Sequence, residues 1–152
     1  MVTSVSLTDW DKNGWLKPHQ TSAQEIADLF DVAARDIADC QVHQVSADWR
    51  LNIAYNAALQ VAIAALAAAG YRAAREAHHY RAIQSLAFTI GADAAMVSKL
   101  DQFRKKRNLG EYERAGRVSD QEAAEMLKLA IELRDKVRNW IGENHRPLFP
   151  SP

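Results

Sequence analysis

The residues best suited to chemistry lie in one stretch, residues 103–112, with the sequence FRKKRNLGEY. It packs four cations, an amide, a carboxylate and a phenol into ten residues. Guanidinium and ammonium groups at this density can bind an anion such as a phosphate, and a neighbouring phenol can donate a proton. Few other polar groups in the chain converge, so we expect any active or binding site to lie here.

Helical spacing aims part of this stretch at the protein interior. At about 100° per residue, Arg107 falls in the middle of a preceding apolar stripe and Arg104 at its edge, while Lys105 points to the opposite side. An unpaired buried charge costs on the order of several kcal/mol, so an inward arginine needs a partner. Glu111, four residues after Arg107, is the candidate. The stripe consists of Met96, Val97, Leu100 and Phe103.

A second interpretation of the stretch stays open. Lysine and arginine are common in the last turn of a helix, and Gly110 is suited to the left-handed position that ends one. The charges would then be solvated and carry no chemistry. In an unbroken helix Tyr112 would lie about 140° from Arg107, so the end of the helix decides whether they share a face.

Five helical segments are predicted to position this stretch. Ser22 and Glu25 have capping-box spacing and begin the first segment, which the apolar period carries to about His43. Ser46 caps a second segment, which ends at Gly70. Its many alanines allow a neighbouring helix, in a bundle or in another subunit, to approach closely.

The later segments follow the same rules. A third helix ends near Gly91, and a fourth begins near Asp93 and carries the stretch described above. Ser119 and Glu122 form a second capping-box pattern, which begins a fifth helix whose inner face extends to Ile141. No stretch alternates with period two for long enough to predict a sheet.

These segments predict an all-α protein, an antiparallel helical bundle of about five helices with an extended N-terminal arm. The arm covers residues 1–21 and packs on the domain, the bundle covers residues 22–143, and a proline-rich tail covers residues 144–152. Prolines in the tail cannot continue the last helix.

Metal sites are weakly indicated. Asp9, Asp11 and Asn13 match the first places of a calcium loop, but the twelfth place is Gln20 instead of glutamate, and an Asp/Asn/Gly turn is the simpler interpretation. His79 aligns with the apolar face of the third helix, and its neighbour His78 points about 100° away, so the two do not form a metal pair. We interpret His79 as a hydrogen-bonded core or interface histidine and expect no metal or cofactor.

The amino-acid composition indicates in which cellular compartment the protein works and which classes of partner it can bind. The 152 residues contain 19 basic and 19 acidic residues, so no overall field draws the protein to nucleic acid or an anionic membrane, and any polyanion binding must be local. The single cysteine, Cys40, aligns with the first apolar stripe and fits a reducing cytoplasm, as does the absence of a signal peptide. The alanine-rich residues 57–69 are too short and weakly apolar to span a bilayer, so no membrane association is expected.

An ordered set of motifs over residues 22–143 resembles the HEPN superfamily of helical-bundle proteins from toxin–antitoxin and other defence systems. The motifs are Asp48-Trp-Arg, Ala54-Tyr-Asn-Ala-Ala58, Gly70-Tyr-Arg, His78-His79, and Arg107-Asn108 followed by Tyr112. The resemblance implies a homodimer whose motifs meet across a two-fold axis and, in active members, cleave RNA without a metal. It also implies Arg107 as the motif arginine, Asn108 as its polar neighbour and Tyr112 at the histidine position.

The tyrosine departs from the family pattern and puts the activity in doubt. A phenol with a pKa near 10 is a poor base, and loss of a general acid–base group removes a factor of about 10²–10⁴. The first hypothesis is thus an endoribonuclease toxin or its attenuated relative, with Arg107 and Asn108 binding phosphate and Tyr112 or His79 donating a proton. Arg104 and Glu111 support this site.

Two further hypotheses stay open. The same fold can serve as a non-catalytic module that binds RNA, a nucleotide or a cognate antitoxin of the nucleotidyltransferase type. It can also form a structural dimer in which arginine–glutamate pairs fix the register of the subunits. A protonatable group in the pocket separates the first hypothesis from these two.

Overall fold

The computed structural model describes residues 6–42, 44–110 and 118–149, without the side chains of residues 108–110. Of these residues 74% are helical, and one small sheet is present, so the predicted all-α helical bundle is confirmed. In chain order the elements are α1 (Leu7–Lys12), β1 (Leu16–Pro18), α2 (Ala23–Asp39), α3 (Ala47–Ala68), β2 (Tyr71–Ala73), α4 (His78–Gln84), α5 (Leu86–Thr89), α6 (Ala94–Gly110), α7 (Asp120–Asn144) and a 3-10 turn (Arg146–Leu148).

Serine caps begin the two longest helices, as predicted. The Ser46 side chain accepts a hydrogen bond from the backbone N–H of Trp49 at the start of α3. At the start of α7, Ser119 accepts from the N–H of Glu122, and the Glu122 carboxylate accepts from the N–H of Ser119 at 3.1 Å. The second capping box is therefore complete.

The first capping box is only half formed. Ser22 accepts from the N–H of Glu25 at 3.1 Å. The Glu25 carboxylate, however, bonds to the side chains of Thr21 and His19, at 2.5 and 2.7 Å, instead of returning to the serine backbone. The helix also ends earlier than the apolar period predicted, at Asp39.

Helix α3 is the centre of the core and packs against α2 and α7. Small side chains along it permit this contact on several sides, since Ala54, Ala58, Ala62 and Ala65 are all buried. By length and composition the whole of α3, Ala47–Ala68, could cross a membrane, but 72% of its most apolar window is buried in the protein. Its burial agrees with a core helix.

The N-terminal arm is more ordered than an extended segment. Residues 7–12 form α1, whose capping box joins Ser6 and Asp9, so Asp9 caps a helix in place of the calcium-loop role considered above. Strands β1 and β2 then pair antiparallel, with Leu16 opposite Ala73. The prediction that no sheet forms was wrong, because strands of three residues are too short to show alternation. Leu16 packs with Trp10 and Leu66 in a small cluster beside the main core.

The predicted third helix is divided into α4 and α5. The division falls at Ser85, whose buried hydroxyl donates to the carbonyl of Ala82 at 2.7 Å. Helix α4 begins after Ala77, which has a left-handed backbone with φ 54°. This start places the two histidines in the first turn of α4, next to α3 and α6.

Candidate anion-binding site

Most cations of residues 103–107 are neutralised by nearby carboxylates. Asp101 accepts from Arg104 Nε at 2.7 Å, and its other oxygen lies 3.5 Å from Lys105 Nζ. Lys106 pairs with Glu122 on α7, and this hydrogen bond is the main reason that the pKa of Glu122 is lowered. Lys105 is exposed, as the helical period predicted. Because Arg104 and Lys105 share Asp101, these three cations and two carboxylates leave about one net positive charge.

Arg107 is the exception. Its side chain is half-buried, and its buried Nε has no hydrogen-bond partner among the residues that the structure describes. The guanidinium carbon lies 5.3 Å from the centre of the Tyr55 ring, within the range of a cation–π interaction. The predicted inward orientation is therefore confirmed. Its expected partner, Glu111, lies outside the described residues.

Tyr55 brings a buried phenol from α3 to this guanidinium. The residue is 1% exposed, and its hydroxyl also lacks a hydrogen-bond partner in the described part of the chain. Burial raises the pKa of Tyr55 to about 12, although the charges of Arg107 and Arg104 act in the opposite direction. The phenol is thus neutral at physiological pH and can donate a hydrogen bond, but it cannot act as a base.

His79 approaches the same phenol from α4. Its ring centre lies 6.3 Å from that of Tyr55, and no described residue forms a hydrogen bond with the imidazole, which departs from the expectation of a hydrogen-bonded core histidine. Burial lowers the pKa of His79, and the neighbouring charges of His78, Arg107 and Arg104 lower it further. The imidazole is therefore neutral at pH 7 and available to accept a proton.

His78 lies at a different site, a cavity next to β2 and α2. It is exposed, and its ring meets the His79 ring edge to face at 4.3 Å. Together with His19 and Glu25 it lines a cavity of about 280 Å³ whose lining does not include His79. The two histidines thus diverge, as their adjacent positions on a helix predicted.

Comparison of the chain with protein-family models, with curated proteins and with solved structures finds no match. The site is therefore defined by its own geometry. We call Tyr55, His79, Arg104 and Arg107 the Tyr55 cluster.

The structure brings together only part of the predicted site. His79 and Arg107 both lie near the Tyr55 ring, and the charge of Arg104 acts on Tyr55 and on His79. The backbone of Asn108 is helical, within α6, and its side chain is not described. Helix α6 extends through Gly110, and Tyr112 lies outside the described residues.

Sequence reasoning missed Tyr55 as a member of the site. Its signal was present, since Tyr55 is a phenol within a helix whose neighbours are mostly alanine and leucine. It also missed Asp101, which precedes Arg104 by one helical turn and therefore pairs with it.

The Tyr55 cluster has the groups needed to bind an oxyanion. Buried donors without partners are rare in proteins, and here the N–H of Arg107 and the O–H of Tyr55 are both unused within the described residues. A phosphate oxygen could accept a hydrogen bond from either donor, and its charge would offset that of Arg107. Asn52, one turn before Tyr55, has a buried side-chain oxygen without a described partner, and this oxygen can accept a hydrogen bond from a hydroxyl group. The arrangement suits a phosphodiester next to a hydroxyl group.

Proposed function

We propose that the Tyr55 cluster binds an RNA phosphodiester and that the protein is a slow, metal-independent endoribonuclease of the HEPN type. One observation carries the proposal: Arg107 is a half-buried cation without a described carboxylate partner, and it acts electrostatically on the neutral imidazole of His79. A cation for the phosphate and a base for a hydroxyl are two of the three groups that such cleavage requires.

The chemistry follows from these two groups. The 2′-oxygen attacks the adjacent phosphorus while His79 takes its proton, and the bond from phosphorus to the 5′-oxygen breaks. Arg107 stabilises the charge on the phosphoryl oxygens, and Tyr55 donates a hydrogen bond to one of them. The leaving 5′-oxygen takes a proton from an acid, for which Tyr112 is the candidate. The products are a 2′,3′-cyclic phosphate and a 5′-hydroxyl.

The lowered pKa of His79 favours the role of base over that of proton donor. A donor must carry a proton at the working pH, and lowering the pKa removes it. The acid step then depends on a phenol, and a general acid of ordinary pKa near 10 is far from ideal at pH 7. Slow turnover is therefore part of the proposal.

Three expectations from the family resemblance belong to the same proposal. The chain acts as a homodimer in which two copies of the cluster line one cleft. It works in the cytoplasm, without a cofactor. A nucleotidyltransferase-type antitoxin binds it and suppresses its activity.

The decisive test removes the Arg107 guanidinium. Arg107→Ala is expected to lower RNA cleavage by at least about 10²-fold, since it deletes the electrostatic stabilisation of the transition state. Cleavage is measured in EDTA on a labelled single-stranded RNA, with identification of the cyclic phosphate end.

Arg134→Ala is the matched control, because Arg134 on α7 pairs with Asp135 at 3.2 Å and does not belong to the cluster. It should cleave like the unchanged protein. Equal cleavage by a folded Arg107→Ala variant would remove the site assignment.

A non-catalytic module that binds RNA or a nucleotide is the second candidate function. The tyrosine at the histidine position of the motif favours it, because Tyr112 is a poor proton-transfer group. In that case the protein binds RNA through Arg107 but leaves it intact. This function would be identified by three results together. Arg107→Ala abolishes RNA binding, His79→Gln preserves it, and none of the proteins cleaves RNA.

A further inference from the structure

A row of alternating aromatic and arginine side chains leads away from the Tyr55 cluster. The Arg81 guanidinium carbon lies 3.8 Å from the centre of the Trp15 ring and 5.6 Å from that of Tyr80. The guanidinium carbon of Arg104 also lies near Tyr80, 5.4 Å from the centre of its ring. Arg104 belongs to the Tyr55 cluster, so the row is continuous with the candidate site. We call Trp15, Arg81, Tyr80 and Arg104 the aromatic–arginine row.

The outer end of the row is open to solvent. Trp15 is 38% exposed, whereas tryptophan is usually well buried on average. Arg81 forms no ion pair with any carboxylate in the described ranges, and its guanidinium lies near aromatic rings. An exposed indole beside a guanidinium that has no described carboxylate partner offers both a stacking surface and a phosphate contact.

The exposed indole is held rigidly. Trp10, which is buried, meets it edge to face at 5.9 Å, and Phe88 supports Trp10 at 5.2 Å. The backbone is fixed as well, because the carbonyl of Trp15 accepts from the N–H of Ala74 at 2.9 Å. A preorganised ring loses little freedom when a ligand stacks on it, which favours binding.

We infer that the aromatic–arginine row binds single-stranded RNA, with a base stacked on Trp15 and the backbone passing Arg81 toward the phosphodiester in the Tyr55 cluster. The inference rests on the proposed function for its inner end. Aromatic rings alternating with cations suit a single strand, because its bases are free to stack and its phosphates need positive charge. A duplex hides its base faces and cannot use the indole.

The experiment compares a short ligand with a long one. A dinucleotide reaches only the Tyr55 cluster, whereas an octanucleotide also reaches Trp15. Both are oligouridylates with 2′-O-methyl groups, which block cleavage, and affinity is read by fluorescence anisotropy.

Trp15→Leu should weaken octanucleotide binding by at least about fivefold, the effect of losing one weak base–aromatic stack, and leave dinucleotide binding unchanged. The matched control is Trp49→Leu, which removes a tryptophan that is 65% exposed on α3. That variant should bind both ligands normally.

A second measurement keeps the inference testable if Trp15→Leu does not fold. In the Trp49→Leu protein, the octanucleotide should quench tryptophan fluorescence and the dinucleotide should not. Absence of quenching at saturating octanucleotide would overturn the inference. Equal affinity of the unchanged protein for a duplex and for the single strand would also overturn it. The same holds if folded Trp15→Leu binds the octanucleotide with an affinity within twofold of that of the unchanged protein.

Failure of the row and failure of the site give different results. If Arg107→Ala loses dinucleotide binding while Trp15→Leu binds the octanucleotide normally, the site stands and the row does not. If Trp15→Leu weakens octanucleotide binding while Arg107→Ala cleaves and binds normally, the row stands and the assignment of the site to the Tyr55 cluster does not.

Discussion

Arg107 and Tyr55 each have a buried polar atom without a hydrogen-bond partner in the described part of the protein. Leaving such a group unsatisfied costs roughly 1–3 kcal/mol. Their cation–π contact returns about 0.5–2 kcal/mol, so it offsets only part of this cost. Buried polar atoms without a described partner are rare in proteins, and a ligand is one way to satisfy them.

Protonation of His79 makes the stability of the folded protein depend on pH. Its pKa in the folded protein is below the ordinary value of 6.5. As the pH falls below 6.5, the unfolded chain therefore binds the proton first, and the folded state loses stability until the pH passes the folded pKa. When the pH is lowered from 7.5 to 5.5, the melting temperature of the His79→Asn variant should thus fall by less than that of the unchanged protein.

The measurement is thermal unfolding followed by circular dichroism at both pH values. At pH 7.5 the imidazole is mostly neutral in both states, so that condition gives the baseline effect of the substitution itself. Parallel pH curves for the two proteins would show that His79 is not desolvated by its surroundings.

At the scale of elements, α6 is positioned by charge pairs to α7. Lys99 lies 3.4 Å from Glu125, and Lys106 pairs with Glu122 in the first turn of α7. Glu122 is also the second half of the Ser119 capping box. The start of α7 therefore helps to hold the helix that carries Arg107.

Ser119→Ala should destabilise the protein by about 1 kcal/mol, because the N–H of Glu122 loses its capping acceptor. The change is measured as a shift in the urea midpoint with unchanged slope. Ser98→Ala is the matched control: Ser98 is exposed within α6, where alanine is the better helix former, so stability should stay equal or rise slightly. A Ser119→Ala midpoint no lower than that of Ser98→Ala would contradict the role of the cap.

The elements that the sequence predicted share strong local signals. Ser46 and Ser119 mark helix starts through the hydrogen bonds that they make within one turn, so neither depends on distant parts of the chain. Arg107 was predicted to point inward by the same local geometry. In contrast, β1 and β2 are stabilised by each other, and nothing in either strand alone distinguishes it from a loop.

The central part of the site could not be predicted from the sequence, because it is formed by packing between helices. Tyr55 lies on α3, which is buried over most of its surface, so the helical period gives no preferred face for its phenol. Its meeting with His79 and Arg107 follows from how α4 and α6 pack on α3, and pattern reasoning along one chain does not determine that packing.

At the scale of the whole molecule, the proposed dimer makes a prediction about mixed subunits. If two copies of the cluster form one cleft, an excess of Arg107→Ala subunits should capture unchanged subunits in inactive pairs. Cleavage should then fall below the activity of the same amount of unchanged protein diluted with buffer. Sedimentation of the mixture gives the fraction of dimer, and Arg134→Ala subunits serve as the control. Full activity in a mixture that exchanges subunits, or activity from a monomer, would contradict a shared cleft.

The pairing of β1 with β2 also sets an order of events during synthesis. Trp15 leaves the ribosome early, but the strand that fixes its backbone is not available until Ala73 has followed. Helices α2 and α3 are neighbours in the chain and can associate without closing a long loop, whereas the β1–β2 contact must enclose both of them. A nascent chain can therefore pack α2 against α3 before the backbone of Trp15 is fixed, and it gains the contact of α3 with α7 only after both strands have emerged.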